Sequence, residues 1–371
     1  GVTLACNQTT TDQLGADRPL NSGDACTAGA VEVAPVCTSW TVTTADELSE
    51  CITLANANES PSPTADTITL GADINLSTAL PQITSEITLE GANHVIDGGW
   101  DGVPGSPTGR RIFTVNLGGD LTIKDTILQN GSAREGGGIS NNGRLTVMNS
   151  TISSNYAYSP IGNAYAGGIF NNGTLAVTNS TISGNSAING AGIGNSGTLT
   201  VTNSTFSGNS AYFDGGGIFN SGTLTVMNST FVGNEAQYNW GGGINNYGTL
   251  RVTNSTFSGN SATYGGGIYN YRGGLTATNS TFSGNDAING GGIYNSSTAY
   301  LAGNVFAAGL NGDNCTNSGT LTDNGYNLSD DGTCTNGGTG SVINAALNLG
   351  TLADNGGPTL THALLAGSAA F

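Results

Sequence analysis

Seven isoleucines, Ile139, Ile169, Ile193, Ile218, Ile244, Ile268 and Ile293, each follow a glycine-rich run at intervals of 30, 24, 25, 26, 24 and 25 residues. A period near 25 restricts the chain to an architecture in which each copy stacks on the next. Within a copy, apolar residues alternate with Thr or Ser, as in Leu199-Thr200-Val201-Thr202, the period of a strand with one buried face. Superposing the copies aligns Leu145, Leu175, Leu199, Leu224, Leu250 and Leu275 in one column, with Val147, Val177, Val201, Val226, Val252 and Ala277 beside it. A third column holds Ile152, Ile182, Phe206, Phe231, Phe257 and Phe282. One such copy cannot close a core, but a coil of a parallel β-helix can share one with its neighbours. The expected fold is therefore an all-β, right-handed parallel β-helix with three short strands per coil. At about 4.8 Å per coil, roughly ten coils make a rod near 50 Å long. The longer first interval accommodates "YAYSPIGNAY" as a loop at one corner.

The repeats are rich in Asn. Asn149, Asn179, Asn203, Asn228, Asn254 and Asn279 follow the Leu-x-Val strand by two residues, and Asn155, Asn185, Asn209, Asn234, Asn260 and Asn285 lie six further on. Asn tolerates left-handed turns, and in a stack its amide can bond the Asn one coil away. We therefore expect the Asn149 series to form a structural ladder with inward-stacked amides. The competing reading is a set of Asn-Ser-Thr glycosylation signals on exposed loops. Glycine runs such as Gly215–Gly217 fit tight turns or close backbone approach; with no helix or Lys following, they are not phosphate loops.

Composition excludes several functions. Among 371 residues there are 60 Gly and only 9% charged residues, and Lys124 is the only lysine. The net charge of −17 argues against nucleic-acid or anionic-membrane partners. No apolar run approaches the roughly 20 residues of a membrane span. The opening "GVTLAC", without Met, reads as an excised segment of an exported protein. Six cysteines, Cys6, Cys26, Cys37, Cys51, Cys315 and Cys334, avoid the repeats and lack metal-site spacing. Sequence proximity favours Cys6–Cys26, Cys37–Cys51 and Cys315–Cys334, and an even count fits an extracellular or cell-surface location.

The chain divides into residues 1–36, a segment 37–111 with irregular first coils, regular repeats over 112–308, and a disulfide-bearing end at 309–371. In "TADELSECITLANAN", residues 44–58, Leu48, Cys51, Ile52 and Ala55 share one helical face, and Thr44 with Glu47 has capping-box spacing. A helix there would cover the open end of the solenoid.

The segment "WTVTTADELSECITLANANESPSPTADTITL" is similar to the start of bacterial secreted proteins of the CSLREA type. Repeats such as "GGGIFNSGTLTVMNSTFVGN" resemble those of polymorphic outer-membrane proteins and pectate-lyase-like β-helices, and "LADNGGPTLTHALLAGSAA" resembles the choice-of-anchor Q module. The resemblance implies an exported, cell-surface protein. In that family a stretch like "TDQLGADRPLNSGDACTAGAVEV" ordinarily follows the last element, whereas here it stands at residues 11–33. The expected partners are other copies of the chain, joined head to tail through residues 1–36 or repeated in a tandem array, and surface glycans.

No catalytic residue is assigned. β-Helix lyases and hydrolases need clustered carboxylates on adjacent coils, yet residues 136–300 contain only Asp214, Glu235 and Asp286, all in variable turns. His94, Asp97 and Asp101 form the best local trio. Asp313, Asp323, Asp330 and Asp331 are candidate Ca²⁺ ligands or solvated loop charges, and no other cofactor is expected. Outward Thr146, Thr200, Thr225 and Thr276 could face ice or glycan, but Ala176 and Arg251 interrupt that column. The leading reading is a non-catalytic structural or adhesive protein; the alternative is a carbohydrate-binding or carbohydrate-cleaving β-helix.

Overall fold

A computed structural model describes residues 40–57, 66–103, 108–159, 162 and 164–370. The chain winds as a parallel β-helix. Twelve strands, from Thr41–Val42 to Thr320–Asp323, form one long parallel sheet, and eleven, from Ile74–Asn75 to Leu328–Ser329, form a second. Nine more, from Phe113–Val115 to Cys315–Asn317, form the third. A regular coil passes through all three in turn, as Ile193–Asn195, Thr198–Thr202 and Thr205–Ser207 show. The twelve strands of the longest sheet span eleven intervals, which at the strand spacing gives a stack about 53 Å long.

The expectation of three strands per coil is corrected over part of the stack. A fourth sheet of six strands runs from Ser132–Ala133 to Ser261–Tyr264. Its strands occupy the variable segment before each glycine turn, where the main chains pair despite divergent side chains and lengths, with register shifts between Ala187 and Asn189 and between Ala236 and Trp240 taking up the difference.

The alternation within each repeat sets the core. Leu199 lies in register with Leu175 and Leu224, and Val201 with Val177 and Val226. These side chains are buried, as is the Ile column. The rings of Phe206, Phe231, Phe257, Phe282 and Phe306 stack with centroids 4.6, 4.8, 4.9 and 5.0 Å apart. Burial of each is worth about 1.5–3 kcal/mol, and the offset stack adds further to it. Glycine is needed where this column passes the turn. A Cβ on Gly243 would meet the Gly267 carbonyl oxygen at 2.5 Å and the Phe257 ring at 3.1 Å, while Gly241 holds a φ of 71°.

Helix α1, Ala45–Ala57, packs at the N-terminal end of the stack and buries Leu48, Cys51, Ile52 and Ala55. Its cap differs by one residue from the expected reciprocal box. The Glu47 amide donates to Thr44 Oγ1 at 3.2 Å, but the Glu47 carboxylate accepts from the Thr43 amide and hydroxyl at 2.6 and 3.0 Å. Cys315 and Cys334 form a disulfide with Cα atoms 4.9 Å apart. Cys51 is also disulfide-bonded. The pairings proposed for Cys6, Cys26 and Cys37 fall outside the described residues. No described helix is long and apolar enough to cross a membrane.

After the last coil the chain forms an antiparallel hairpin of Leu349–Ala353 and Thr361–Leu364. It runs back along the flank of the stack. Thr230 Oγ1 donates to the Leu360 carbonyl at 2.6 Å, Thr359 Oγ1 donates to the Asn228 carbonyl at 3.2 Å, and His362 Nε2 lies 3.0 Å from Ser258 Oγ. This docking explains why Thr230 and Thr256, outward-facing in the second sheet, are buried when their counterparts Thr205 and Thr281 are only half-buried.

Candidate functional site

The asparagines build ladders at three levels. The Asn149 series occupies left-handed turns, with φ of 49–50° at all six positions. Its amides bond from coil to coil, Asn203 Nδ2 to Asn179 Oδ1 at 3.2 Å and Asn228 Nδ2 to Asn203 Oδ1 at 3.2 Å. The expected inward stacking is corrected, because Asn149, Asn179, Asn254 and Asn279 are exposed and Asn203 and Asn228 half-buried. A left-handed residue turns the chain so that the following Ser, not the Asn, points inward. Ser180 accordingly donates its amide to Ser204 Oγ at 3.1 Å inside the stack.

The inward ladder is the second series. Asn209 Nδ2 donates to Asn234 Oδ1 at 2.8 Å and to the Ile182 carbonyl at 2.9 Å, and every Asn from 155 to 285 in this column is almost fully buried. A third ladder, Asn141, Asn171, Asn195, Asn220, Asn246, Asn270 and Asn295, was not anticipated. Its amides meet at 2.6–2.8 Å from one coil to the next. The signal was present, since an Asn stands two residues after every Ile of the repeat.

The acidic candidates disperse. Asp323 Oδ1 accepts from Asn327 Nδ2, Ser341 Oγ and the Gly325 amide at 2.7, 2.8 and 2.9 Å, and Oδ2 accepts from the Gly338 amide at 2.9 Å. Burial opposes its charge, but these donors outweigh burial and hold the carboxyl below its ordinary range. Asp331 is held low in the same way, burial being overcome by the Asn314 and Thr333 amides and the Thr333 and Ser329 hydroxyls. Asp330 accepts from the Ala308 amide and Asn314 Nδ2. With Asp313, these residues do not converge on one point, and the described residues contain no group of three or more His, Cys, Asp or Glu poised around a metal.

His94, Asp97 and Asp101 are also separated by their partners. His94 Nδ1 lies 3.0 Å from Asp73 Oδ1, whereas Asp97 accepts from Gln129 Nε2 and Asn130 Nδ2 at 2.9 and 2.7 Å. Asp101 accepts from the Val103 amide at 3.0 Å. Among the repeat acids, Glu235 and Asp286 do share a column, each paired to Ser261 on the coil between. That places them about 10 Å apart along the stack, two strand spacings, and not on adjacent coils. Asp214 stands in a different column.

A groove with chemistry of its own lies where the fourth sheet turns into the Ile-bearing sheet. Its floor is the outward column Phe170, Gly194, Phe219, Asn245, Tyr269 and Tyr294, each paired with the next. One wall carries Tyr165, Asp214 and Trp240, the residues just before the glycine turns, and the other carries Tyr247 and Tyr271. Missing side-chain bulk at Gly194 leaves a hollow of about 230 Å³ between Phe170 and Phe219, walled by Tyr165, Glu135, Ser196 and Ser221. Further along, Trp240 stacks on Tyr269 and Tyr271 at 5.3 and 6.0 Å. Arg272 sits over the Tyr271 ring at 5.1 Å.

Polar atoms beneath this aromatic band lack protein partners. Both amide atoms of the fully buried Asn245 are unbonded, as is Asp214 Oδ1. Burial pushes the Asp214 carboxyl up to about 6, against the opposing pull of the Trp240 amide and Asn239 side chain. Burial, followed by the Asp214 charge, pushes the Tyr247 hydroxyl up to about 12. Sequence reasoning missed this groove because its aromatic residues are the positions that vary from copy to copy. No protein-family model matches the chain, and no curated protein matches it.

Proposed function

We propose that the protein is a non-catalytic, extracellular structural or adhesive unit that joins other copies head to tail. The observation that carries this reading is the difference between the two ends of the stack. Helix α1 packs over the first strands, burying Leu48 and Ile52. At the other end, strand Thr320–Asp323 is the last of the long sheet, and beside it lies a hollow of about 230 Å³ lined by Cys315, Leu321, Cys334 and Asn336. The hairpin that follows docks on Asn228, Thr230 and Ser258, several coils back. Between the two, Val342 pairs with Leu328 at the end of the second sheet and Asn336 Nδ2 donates to the Leu321 carbonyl, so the outer edge of Thr320–Asp323 is crossed by a turn but is paired with no further strand among the described residues.

A terminal strand with one edge unpaired is a template for strand addition. Contact between unlike ends is heterologous and extends as a filament unless it closes into a ring. Residues 1–36 contain the strand-like "GAVEVAPV" and resemble the close of a preceding module, which makes them the segment to reach the next copy. Disulfides support an oxidising compartment. The proposed kinship with CSLREA and choice-of-anchor proteins points the same way. Sedimentation of the full chain against a chain lacking residues 1–36 tests the reading, which expects end-to-end oligomers from the first and single rods from the second.

A further inference from the structure

We propose that the aromatic groove binds a neutral polysaccharide strand lying along the solenoid axis, with sugar rings seated against Phe170, Phe219 and Trp240. This goes beyond head-to-tail assembly and does not depend on it, since the groove lies on a side of the rod and not at its ends.

Two opposite demands meet in this groove. The rings of Phe170, Phe219, Tyr247 and Tyr271 offer apolar faces, and Tyr165 bridges Phe170 and Phe219 with centroids at 6.3 and 6.1 Å. Beside them the hollow is lined by the exposed side chains of Ser196 and Ser221 and by Glu135. A ligand suited to both presents apolar C–H faces toward the negative π surfaces and hydroxyls around its rim, and sugars are built that way. The aromatic floor from Phe170 to Tyr294 crosses six coils, or about 24 Å at the strand spacing, long enough for several sugars in a chain.

The other occupants fit less well. Glu135 lines the hollow with Arg111 against its main chain, Arg272 sits over the Tyr271 ring, and the protein carries −17 overall, which disfavours acidic polymers. A peptide docking by strand addition needs a free sheet edge. Here the main chain of the floor is already paired to the coils above and below, as at Gly194 between Phe170 and Phe219.

Gly194 provides the test. Its φ is not in the left-handed region, and a Cβ there would make ordinary contacts at 3.4 Å with Ala166 and Phe170, so the column can accept a larger residue. Gly194→Phe would continue the run of rings and close the hollow, whereas Gly194→Ser leaves it open. Affinity electrophoresis of the full chain is run in gels containing laminarin, hydroxyethylcellulose or galactomannan, with polygalacturonate as the acidic control. Retardation is expected in at least one neutral gel and none in polygalacturonate, with at least tenfold weaker binding by Gly194→Phe, a smaller loss by Gly194→Ser, unchanged binding by Thr225→Ala outside the groove, and superimposable circular dichroism melts. Phe170→Ala, which removes a wall without filling the hollow, should also weaken binding. Lack of retardation in all three neutral gels, equal retardation by polygalacturonate, or indifference to both Gly194→Phe and Phe170→Ala overturns the proposal. It is likewise overturned if Gly194→Phe alters the sedimentation of the protein without altering retardation, which would identify a second copy as the occupant.

Discussion

Asn234 and Asn260, on adjacent coils, are joined twice through one atom: Asn260 Oδ1 accepts from Asn234 Nδ2 at 2.9 Å and from the Asn234 amide at 3.0 Å. Asn234 Nδ2 also reaches the Phe206 carbonyl at 3.0 Å, so a single buried side chain ties three coils. Removing it strands buried acceptors and donors at once. Asn234→Ala should cost about 2–4 kcal/mol, the sum of a lost buried bond and the groups left unpaired. The exposed rung Asn254→Ala should cost roughly 1 kcal/mol or less, most of it from its left-handed turn. Urea denaturation of the two variants checks the order, and equal costs would mean that the inward ladder is misassigned.

Phe231 is fully buried between Phe206 and Phe257. Phe231→Ala should destabilise by about 3–5 kcal/mol, while Thr225→Ala, outward on the same coil, should fall within about 0.5 kcal/mol of the parent. Thermal melts of both variants provide the comparison.

The stack and its hydrophobic columns were legible because they are what the repeat conserves from copy to copy. Leu199, Val201 and Phe206 fall where period-2 alternation puts them, and Asn203 takes the left-handed turn its side chain favours. Which Asn faces inward was not legible. That depends on the φ of the turn, which directs Asn203 outward and Ser204 in, and alternation alone does not reveal a turn of that hand. The aromatic groove and the returning hairpin escaped for another reason. Trp240, Tyr247 and Tyr271 differ between repeats, and the contact of His362 with Ser258 spans 104 residues without any local signal.

His362 braces the hairpin from both ring nitrogens, Nδ1 at 2.7 Å from the Gly350 carbonyl and Nε2 at 3.0 Å from Ser258 Oγ. His362→Ala should loosen the hairpin and leave the coils intact. Hydrogen exchange should then quicken at residues 349–364, while the amides of the Phe206 and Phe282 strands keep their protection.

Asp214 makes stability depend on pH in the opposite sense to an ion-paired carboxylate. Its pKa is raised by burial to about 6 from 3.8, so the folded state binds the proton more tightly than the unfolded chain. The protonated form is favoured below pH 4, and this contribution is lost as pH rises through about 6. Asp214→Asn should therefore gain about 1–3 kcal/mol relative to the parent at pH 8, and little at pH 3.5. Melting temperatures at the two pH values decide it; an advantage confined to low pH would contradict the burial of this carboxylate.

If one end of the rod receives the other end of the next copy, electron microscopy of the full chain beside a chain lacking residues 1–36 will distinguish the two. End-to-end filaments or rings are expected from the full chain, with an axial repeat near the rod length of about 53 Å, and isolated rods of that length from the truncated one. Filaments of the same repeat formed without residues 1–36, or single rods from the full chain at every concentration, would contradict head-to-tail joining.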